Sequence, residues 1–156
     1  MRKIALVATM IILIMSFAAA SSIAAPENSL SVNGGYSHTW IELEYEMKTD
    51  PFAYGAKLGL GYYAFEVGGF FRYYYGLNSL LNIPAEYRLS VFGGITPSFL
   101  LGTWYYDGVG FGLKIGPGVD FRWKQLRVYI EGGYRFDTLG GIHHGGYSTA
   151  GIGYIF

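Results

Sequence analysis

From residue 28 onward, apolar and polar side chains alternate along the chain with a period of two, which is the period of a β-strand. In Leu126–Asp137, for example, Val128 and Ile130 belong to an apolar face, whereas Arg127 and Glu131 belong to a polar one. The same alternation predicts further strands over Tyr54–Tyr63, Phe65–Tyr75, Leu81–Leu89, Val91–Thr103, Phe111–Trp123 and Tyr147–Phe156.

The first strand is less regular than the others. Ile41, Leu43 and Tyr45 alternate with glutamates, but the upstream apolar residues Leu30 and Val32 fall on the opposite parity. A bulge near residues 38–40, or a break into two short strands, would reconcile the two patterns. If the segment is one strand, the chain has eight.

Eight strands of this length suit a membrane-spanning barrel. A transmembrane strand needs roughly 9 to 11 residues, and unpaired strand edges in lipid cost several kcal/mol per group, so such a sheet must close. The alternative is a soluble, lipocalin-like barrel with the apolar face inward. Charged residues make up only 14% of the chain against roughly 25% in typical domains, aromatics make up 19%, and the polar face is rich in glycine. These features favour an all-β, closed antiparallel eight-stranded transmembrane β-barrel.

Charge placement agrees with an apolar face in lipid and a polar face in the lumen, because Arg or Lys facing lipid at the midplane costs about 2 to 4 kcal/mol. Of the 20 charged residues after residue 24, 15 lie on the polar face. The near balance of the two signs predicts paired charges that fill the interior as a plug. The acidic members are Glu42, Glu44, Glu46, Glu66, Glu86, Asp120, Glu131 and Asp137, and the basic members are Lys57, Arg72, Arg88, Lys114, Arg122, Arg127 and Arg135.

The N-terminal segment has the organisation of a cleavable signal peptide. Arg2 and Lys3 precede an apolar run, which small residues follow. Cleavage after Ala24 is favoured and cleavage after Ala20 also fits, so the expected division is a signal peptide over 1–24 and a barrel domain over 25–156. The alternative is a retained membrane anchor.

Aromatic residues cluster near the predicted strand ends, as interfacial girdles do in membrane barrels. The expected girdle residues are Tyr62, Tyr63, Tyr73, Tyr74, Tyr75, Trp104, Tyr105, Tyr106, Trp123, Tyr134 and Tyr154.

Candidate chemistry is sparse. The chain has no cysteine, and its 11 basic and 11 acidic residues give no basic excess for nucleic-acid binding. Asp137, His143, His144 and Ser148 lie near one predicted loop, where a lipid-modifying enzyme could place a catalytic triad, but Ser148 falls on the apolar parity. The glycines of residues 108–118 precede no predicted helix, so they do not form a phosphate loop. We therefore expect no catalytic residue, no cofactor and no metal site.

Several segments resemble a known family. The ending Tyr147–Phe156, with Ile152, Tyr154 and Phe156 at alternate positions, resembles the C-terminal signal by which Gram-negative outer-membrane barrels are recognised by their assembly machinery. Segments similar to the porin-like outer-membrane β-barrel domain family, of the PorT-like kind, are Asn82–Leu89, Phe92–Phe99, Phe111–Phe121 and Ile130–Phe136.

This resemblance implies a location in the cell outer membrane, with outer-membrane lipids and the barrel assembly machinery as partners. We expect a monomer, although no sequence feature fixes the oligomeric state. The resemblance also implies that both chain ends are periplasmic. The turns at 63–65, 89–90 and 123–125 would then be periplasmic, and the segments 48–52, 76–80, 104–110 and 138–146 would face outward.

Three functions follow as alternatives. The first is a non-catalytic structural or interaction protein of the outer membrane with a charge-plugged lumen. The second is a narrow porin-like channel for water, ions or small solutes, and the third is a lipid-modifying enzyme at the rim.

Overall fold

A computed structural model describes residues 26–103 and 107–156 of the chain. About three quarters of these residues lie in eight strands, as the period of two predicts. The strands are β1 (Glu27–Tyr36), β2 (Ile41–Thr49), β3 (Phe52–Leu60), β4 (Ala64–Gly76), β5 (Tyr87–Gly102), β6 (Val109–Trp123), β7 (Leu126–Asp137) and β8 (His143–Ile155). One short helix, α1 (Asn78–Leu81), lies between β4 and β5. In the described part of the chain, no helix combines the length and apolar character needed to cross a membrane.

The strands form one closed antiparallel barrel in which each strand pairs with its neighbours in sequence. β1 closes the barrel against β8, in a register that runs from Ser29 opposite Ile155 to Tyr36 opposite Ser148. The backbone N–H of Phe156 adds a hydrogen bond of 2.9 Å to the carbonyl of Asn28. Closure leaves no sheet edge unpaired, so the predicted closed, eight-stranded architecture is confirmed.

The irregular first segment is two strands rather than one. β1 and β2 form a hairpin whose connection, residues 37–40, reverses the chain direction. Leu30 of β1 lies opposite Tyr45 of β2, and both belong to the apolar parity of their own strand. The change of parity along the sequence therefore comes from a chain reversal, which is one of the two explanations that the pattern allowed.

The strand predicted over Leu81–Leu89 is wrong. The segment begins at the end of α1, where Asn82 adopts a left-handed conformation with φ of 52°, and Pro84 has no N–H to give to a sheet ladder. The Asn78 side chain accepts a 2.9 Å hydrogen bond from the N–H of Leu89. This contact ties the loop to β5, which begins at Tyr87 and continues through the segment predicted as a separate strand over Val91–Thr103.

Compared with the prediction, the first segment gives one extra strand and the segment Leu81–Leu89 gives none, so the number of strands stays at eight. The direction of the strands between these two segments is reversed, so their connections lie at the opposite ends of the barrel from those expected. We call the end that holds both chain ends the terminal end and the opposite one the loop end. The connections 50–51, 77–86 and 124–125 lie at the terminal end, and 37–40, 61–63 and 138–142 lie at the loop end, where β5 ends and β6 begins. The sides expected for 48–52, 63–65 and 76–80 are therefore wrong, and 89–90 is no turn because it lies within β5. The placements of 123–125 and 138–146 relative to the chain ends agree with the expectation, and the segment expected over 104–110 lies partly outside the described residues.

The charged face of the sheet is inside and the apolar face is outside. Along β7, Arg127 and Glu131 are at most 2% exposed, whereas Ile130 between them is 62% exposed. Across the described residues, the interior holds seven buried acidic and six buried basic side chains, and 30 large apolar residues are exposed. This is the reverse of the lipocalin-like alternative, which needs the apolar face inward.

Candidate functional site

The interior of the terminal half is organised by Arg72 of β4. Its Nη1 donates to Glu44 at 2.6 Å and to Glu46 at 2.9 Å, and its Nη2 donates to Glu44 at 3.0 Å and to Glu131 at 2.5 Å. These residues come from β2, β4 and β7, so one guanidinium joins three strands across the lumen. Two parallel bonds to the same carboxylate are the strongest geometry that a guanidinium offers.

Two further arginines complete what we call the arginine layer, formed by Arg72, Arg122 and Arg127. Arg127 donates to Asp120 at 2.7 Å and to Glu46 at 2.9 Å, and Arg122 donates to the same two carboxylates at 2.6 and 2.7 Å. All of these side chains are at most 1% exposed. Because a buried charge is tolerated only when it is paired and hydrogen-bonded, the layer acts as a single unit.

Aromatic rings fill the space around the arginine layer. The guanidinium carbon of Arg72 lies 4.3 Å from the ring centre of Phe70 and 4.8 Å from that of Phe92. The hydroxyl groups of Tyr74 and Tyr129 donate to Glu46 and Glu44, both at 2.8 Å. The rings therefore pack against cations while their hydroxyls satisfy carboxylates, and together they occupy the section of the lumen that the arginines cross.

Glycine on the inner face makes room for these rings. A Cβ at Gly118 would lie 2.2 Å from Cζ of Phe92 and 2.6 Å from the carbonyl oxygen of Ile130, and one at Gly151 would lie 2.6 Å from Cε1 of Tyr129. The glycine-rich polar face is thus a packing requirement of a narrow, filled interior.

A second cluster, which we call the lysine layer, lies closer to the loop end. Lys114 donates to Glu42 at 2.6 Å and to Glu66 at 2.9 Å. Lys57 lies 3.5 Å from Glu42 and 3.4 Å from Glu44, which also belongs to the arginine layer. Shared acceptors therefore connect the two layers into one network.

Above the lysine layer, His38 bridges the interior and the loop end. Its Nε2 lies 3.0 Å from Oδ2 of Asp137, and its Nδ1 lies 3.8 Å from Oε2 of Glu66. The histidine comes from the connection between β1 and β2, so the chain reversal between these strands also places it over the lumen.

Buried polar atoms without a hydrogen-bond partner among the described residues lie on the loop-end side of the arginine layer. They belong to Asn33, Ser37, His38, Glu42, Glu66, Ser98 and Thr149. In the terminal half of the lumen, by contrast, the donors and acceptors of the arginine layer are hydrogen-bonded to one another. In the loop-end half, some buried polar groups can still bind further donors or acceptors.

At the terminal end, the connection between β4 and β5 borders a cavity of about 750 Å³. Lys48 lies within it, 2.9 Å from Asp50 and 4.5 Å from the ring centre of Tyr74. Glu27 bonds both Arg88 and Arg122, so the rim of this cavity is connected to the arginine layer.

The structure brings together most residues of the predicted lumen network. Eleven of the fifteen belong to the two layers, and Asp137 lies above them beside His38. The eleven are Glu42, Glu44, Glu46, Glu66, Asp120, Glu131, Lys57, Lys114, Arg72, Arg122 and Arg127. The other three lie at the barrel ends. Arg88 is half-buried at the terminal-end rim, Glu86 is exposed in the turn before β5, and Arg135 is half-buried near the loop end.

Sequence reasoning missed His38, and it gave no role to Tyr129 or Phe92. His38 carried no signal because its segment was interpreted only as a bulge or as a break between two short strands. Strand parity assigns Tyr129 to the polar face, and the same parity could have placed Phe92 on the inner face of β5. Tyr74, expected in a girdle, points inward and is 3% exposed.

The residues considered for catalysis do not converge. Asp137 faces the interior, whereas Ser148 of β8 is exposed on the outer wall, and His143 and His144 are exposed. The glycines at 110–118 lie within β6. Among the described residues, no group of three or more His, Asp and Glu side chains is arranged to hold a metal ion.

On the outer wall, exposed aromatic residues gather near the two ends of the barrel. Trp40 stacks on Tyr62 at the loop end, with ring centres 5.5 Å apart, and Tyr87 stacks on Trp123 at the terminal end, at 6.2 Å. Between them the wall is largely aliphatic. The expected girdle residues Trp104, Tyr105 and Tyr106 lie outside the described residues, as does the predicted signal peptide.

The fold and the interior define a closed eight-stranded β-barrel with a charged, packed lumen and an apolar outer wall. No protein-family model matches the chain, and comparisons with curated proteins and with solved structures gave no match.

Proposed function

We propose that the protein is an integral outer-membrane β-barrel with a structural or interaction role, whose lumen is plugged by paired charges. In this proposal residues 1–24 are a signal peptide that is removed on export. The barrel is monomeric and inserts through recognition of its C-terminal strand, with Ile152, Tyr154 and Phe156 facing one side.

The observation that carries the proposal is the inversion of polarity across the barrel wall. Soluble monomers rarely expose apolar patches larger than a few hundred Å². In the described part of the chain, by contrast, exposed apolar side chains surround the barrel and 13 charged residues are buried inside it. Lipid removes the cost of the exposed apolar wall, and the closed sheet leaves no unpaired edge to meet lipid.

The aromatic ends support the same proposal. Rings such as Trp40 and Tyr62 at one end, and Tyr87 and Trp123 at the other, flank an aliphatic band. Amphipathic rings favour the boundary between acyl chains and water.

The plug follows from the arginine layer. An eight-stranded barrel has room inside for little beyond its own side chains, and here Arg72, Arg122 and Arg127 cross the lumen with bonded carboxylates and packed rings. An ion entering this section would have to displace several charge-assisted hydrogen bonds at once.

Conductance tests the plug directly. Purified barrel, verified as folded by its gel mobility, is reconstituted into a planar phosphatidylcholine bilayer, and the expected result is an absence of stable current steps. Steps whose ion selectivity changes in Glu131→Gln, but not in the rim variant Arg88→Gln, would overturn the plug and establish the narrow channel.

A further inference from the structure

The loop end of the barrel contains a cavity of about 390 Å³ outside the arginine and lysine layers. It is lined by the loop-end residues of several strands and of the connections at this end, and both His38 and Asp137 line it. We call it the distal cavity. Its volume lies within the range of pockets that hold small organic molecules, roughly 300 to 1,000 Å³.

Arg135 brings to the distal cavity a guanidinium that no carboxylate of the described residues approaches within 4.0 Å. The buried arginines and lysines of the lumen have carboxylate partners within 4.0 Å, and so does Arg88 at the opposite rim. Arg135 has no such partner among the described residues, and its guanidinium instead lies 5.1 Å from the ring centre of Tyr36. Its register partner on β6 is Lys114, another cation. Both facts leave its donors available to an anion.

The lower wall of the distal cavity is apolar. Ala64, Leu100 and Leu139 form a buried cluster at this end, each at most 5% exposed, and all three line the cavity. Trp40 also lines the cavity. A ligand body resting here would contact aliphatic and aromatic surface while its charged group remained near Arg135.

Asp137 limits the charge that such a ligand can carry. This carboxylate also lines the cavity, and it lies 3.0 Å from Nε2 of His38. A second anionic group placed near it would be repelled, whereas a single carboxylate can form two parallel hydrogen bonds with a guanidinium.

We propose that the distal cavity binds a small organic monoanion, a carboxylate with an apolar body of about the size of one aromatic ring, anchored by Arg135. This site is distinct from the arginine and lysine layers. It requires the folded barrel but not a particular membrane location, so its failure would leave the proposed function untouched.

The probe for the test is 4-(trifluoromethyl)phenylacetate, observed by ¹⁹F NMR with the full-length barrel in phosphatidylcholine nanodiscs. Empty nanodiscs measure partition into lipid, and 4-(trifluoromethyl)benzyl alcohol provides a neutral probe with a similar body. The expected result is saturable binding of the carboxylate above the empty-disc signal, with weaker binding of the alcohol.

The variant Arg135→Gln is expected to weaken carboxylate binding about tenfold or more, since a hydrogen bond to a charged group is worth that much, and to leave alcohol binding unchanged. Arg88→Gln, a half-buried arginine at the opposite rim, is the matched control and should bind the carboxylate as the parent does. Gel mobility shows that each variant is folded. No saturable binding, equal binding by Arg135→Gln, or an equal loss in Arg88→Gln would overturn the proposal.

Discussion

Replacing Arg72 by Met removes the central cation of the arginine layer while keeping a side chain of similar length. The change deletes the bonds to Glu44, Glu46 and Glu131. Glu44 keeps Arg127 at 3.1 Å, and Glu46 keeps Arg122 at 2.7 Å. Glu131 loses its only ion pair within 4.0 Å among the described residues and keeps the hydroxyl of Tyr147 at 2.7 Å.

The expected cost follows from the unpaired charge at Glu131. Removing one partner of a buried ion pair destabilises a protein by about 3 to 5 kcal/mol, because the remaining charge is left without compensation in a medium of low dielectric constant. A second change, Glu131→Gln in the Arg72→Met background, removes that charge. It should recover at least about 1 kcal/mol of the loss, the scale of leaving one buried polar group unsatisfied.

The assay is reversible urea unfolding of the barrel in phosphatidylcholine vesicles, followed by tryptophan fluorescence and by gel mobility. Arg88→Met is the matched control, because Arg88 pairs with Glu27 at a rim where its side chain is 43% exposed, and exposed pairs contribute roughly 0 to 1 kcal/mol. A cost of Arg72→Met no larger than that of Arg88→Met would contradict the role of the buried ion pair, and so would a further loss of stability when Glu131→Gln is added.

Two further changes test the packing and the outer wall. Gly118→Ala should lower the free energy of unfolding by about 1 to 3 kcal/mol, because the new Cβ collides with Phe92. Gly93→Ala is the control and should change this free energy little, because no atom lies within 4 Å of the new Cβ. Equal effects of the two substitutions would refute the packing role of Gly118. Ile130→Arg on the outer wall should cost about 2 to 4 kcal/mol in vesicles, and Ile142→Arg in a loop about 0 to 1. Unchanged stability of Ile130→Arg would count against contact with lipid.

Strand periodicity was sufficient to predict the barrel because each strand separates charge from apolar surface over many residues. Over β7 the sequence alone assigns Arg127, Tyr129 and Glu131 to one face, and these side chains point inward. This inference holds because alternate residues of a strand in a closed barrel face either the lumen or the outside, so all residues of one parity face the same side.

The connections could not be predicted in the same way. The segment around Pro84 alternates as a strand does, but the turn geometry of Asn82 and the side-chain bonds of Asn78 override that pattern. The ion-pair partners of Arg72 could not be predicted from the sequence either. They depend on how far each long side chain extends across the lumen, and strand period carries no information about that distance.

Gel mobility of the outer-membrane fraction, with and without boiling, after expression of the full chain in a Gram-negative host tests the central claim most directly. The account predicts a band in that fraction that migrates differently before boiling, because a closed barrel resists detergent until heated. A protein recovered in the soluble periplasmic fraction, with the same mobility before and after boiling, would contradict it.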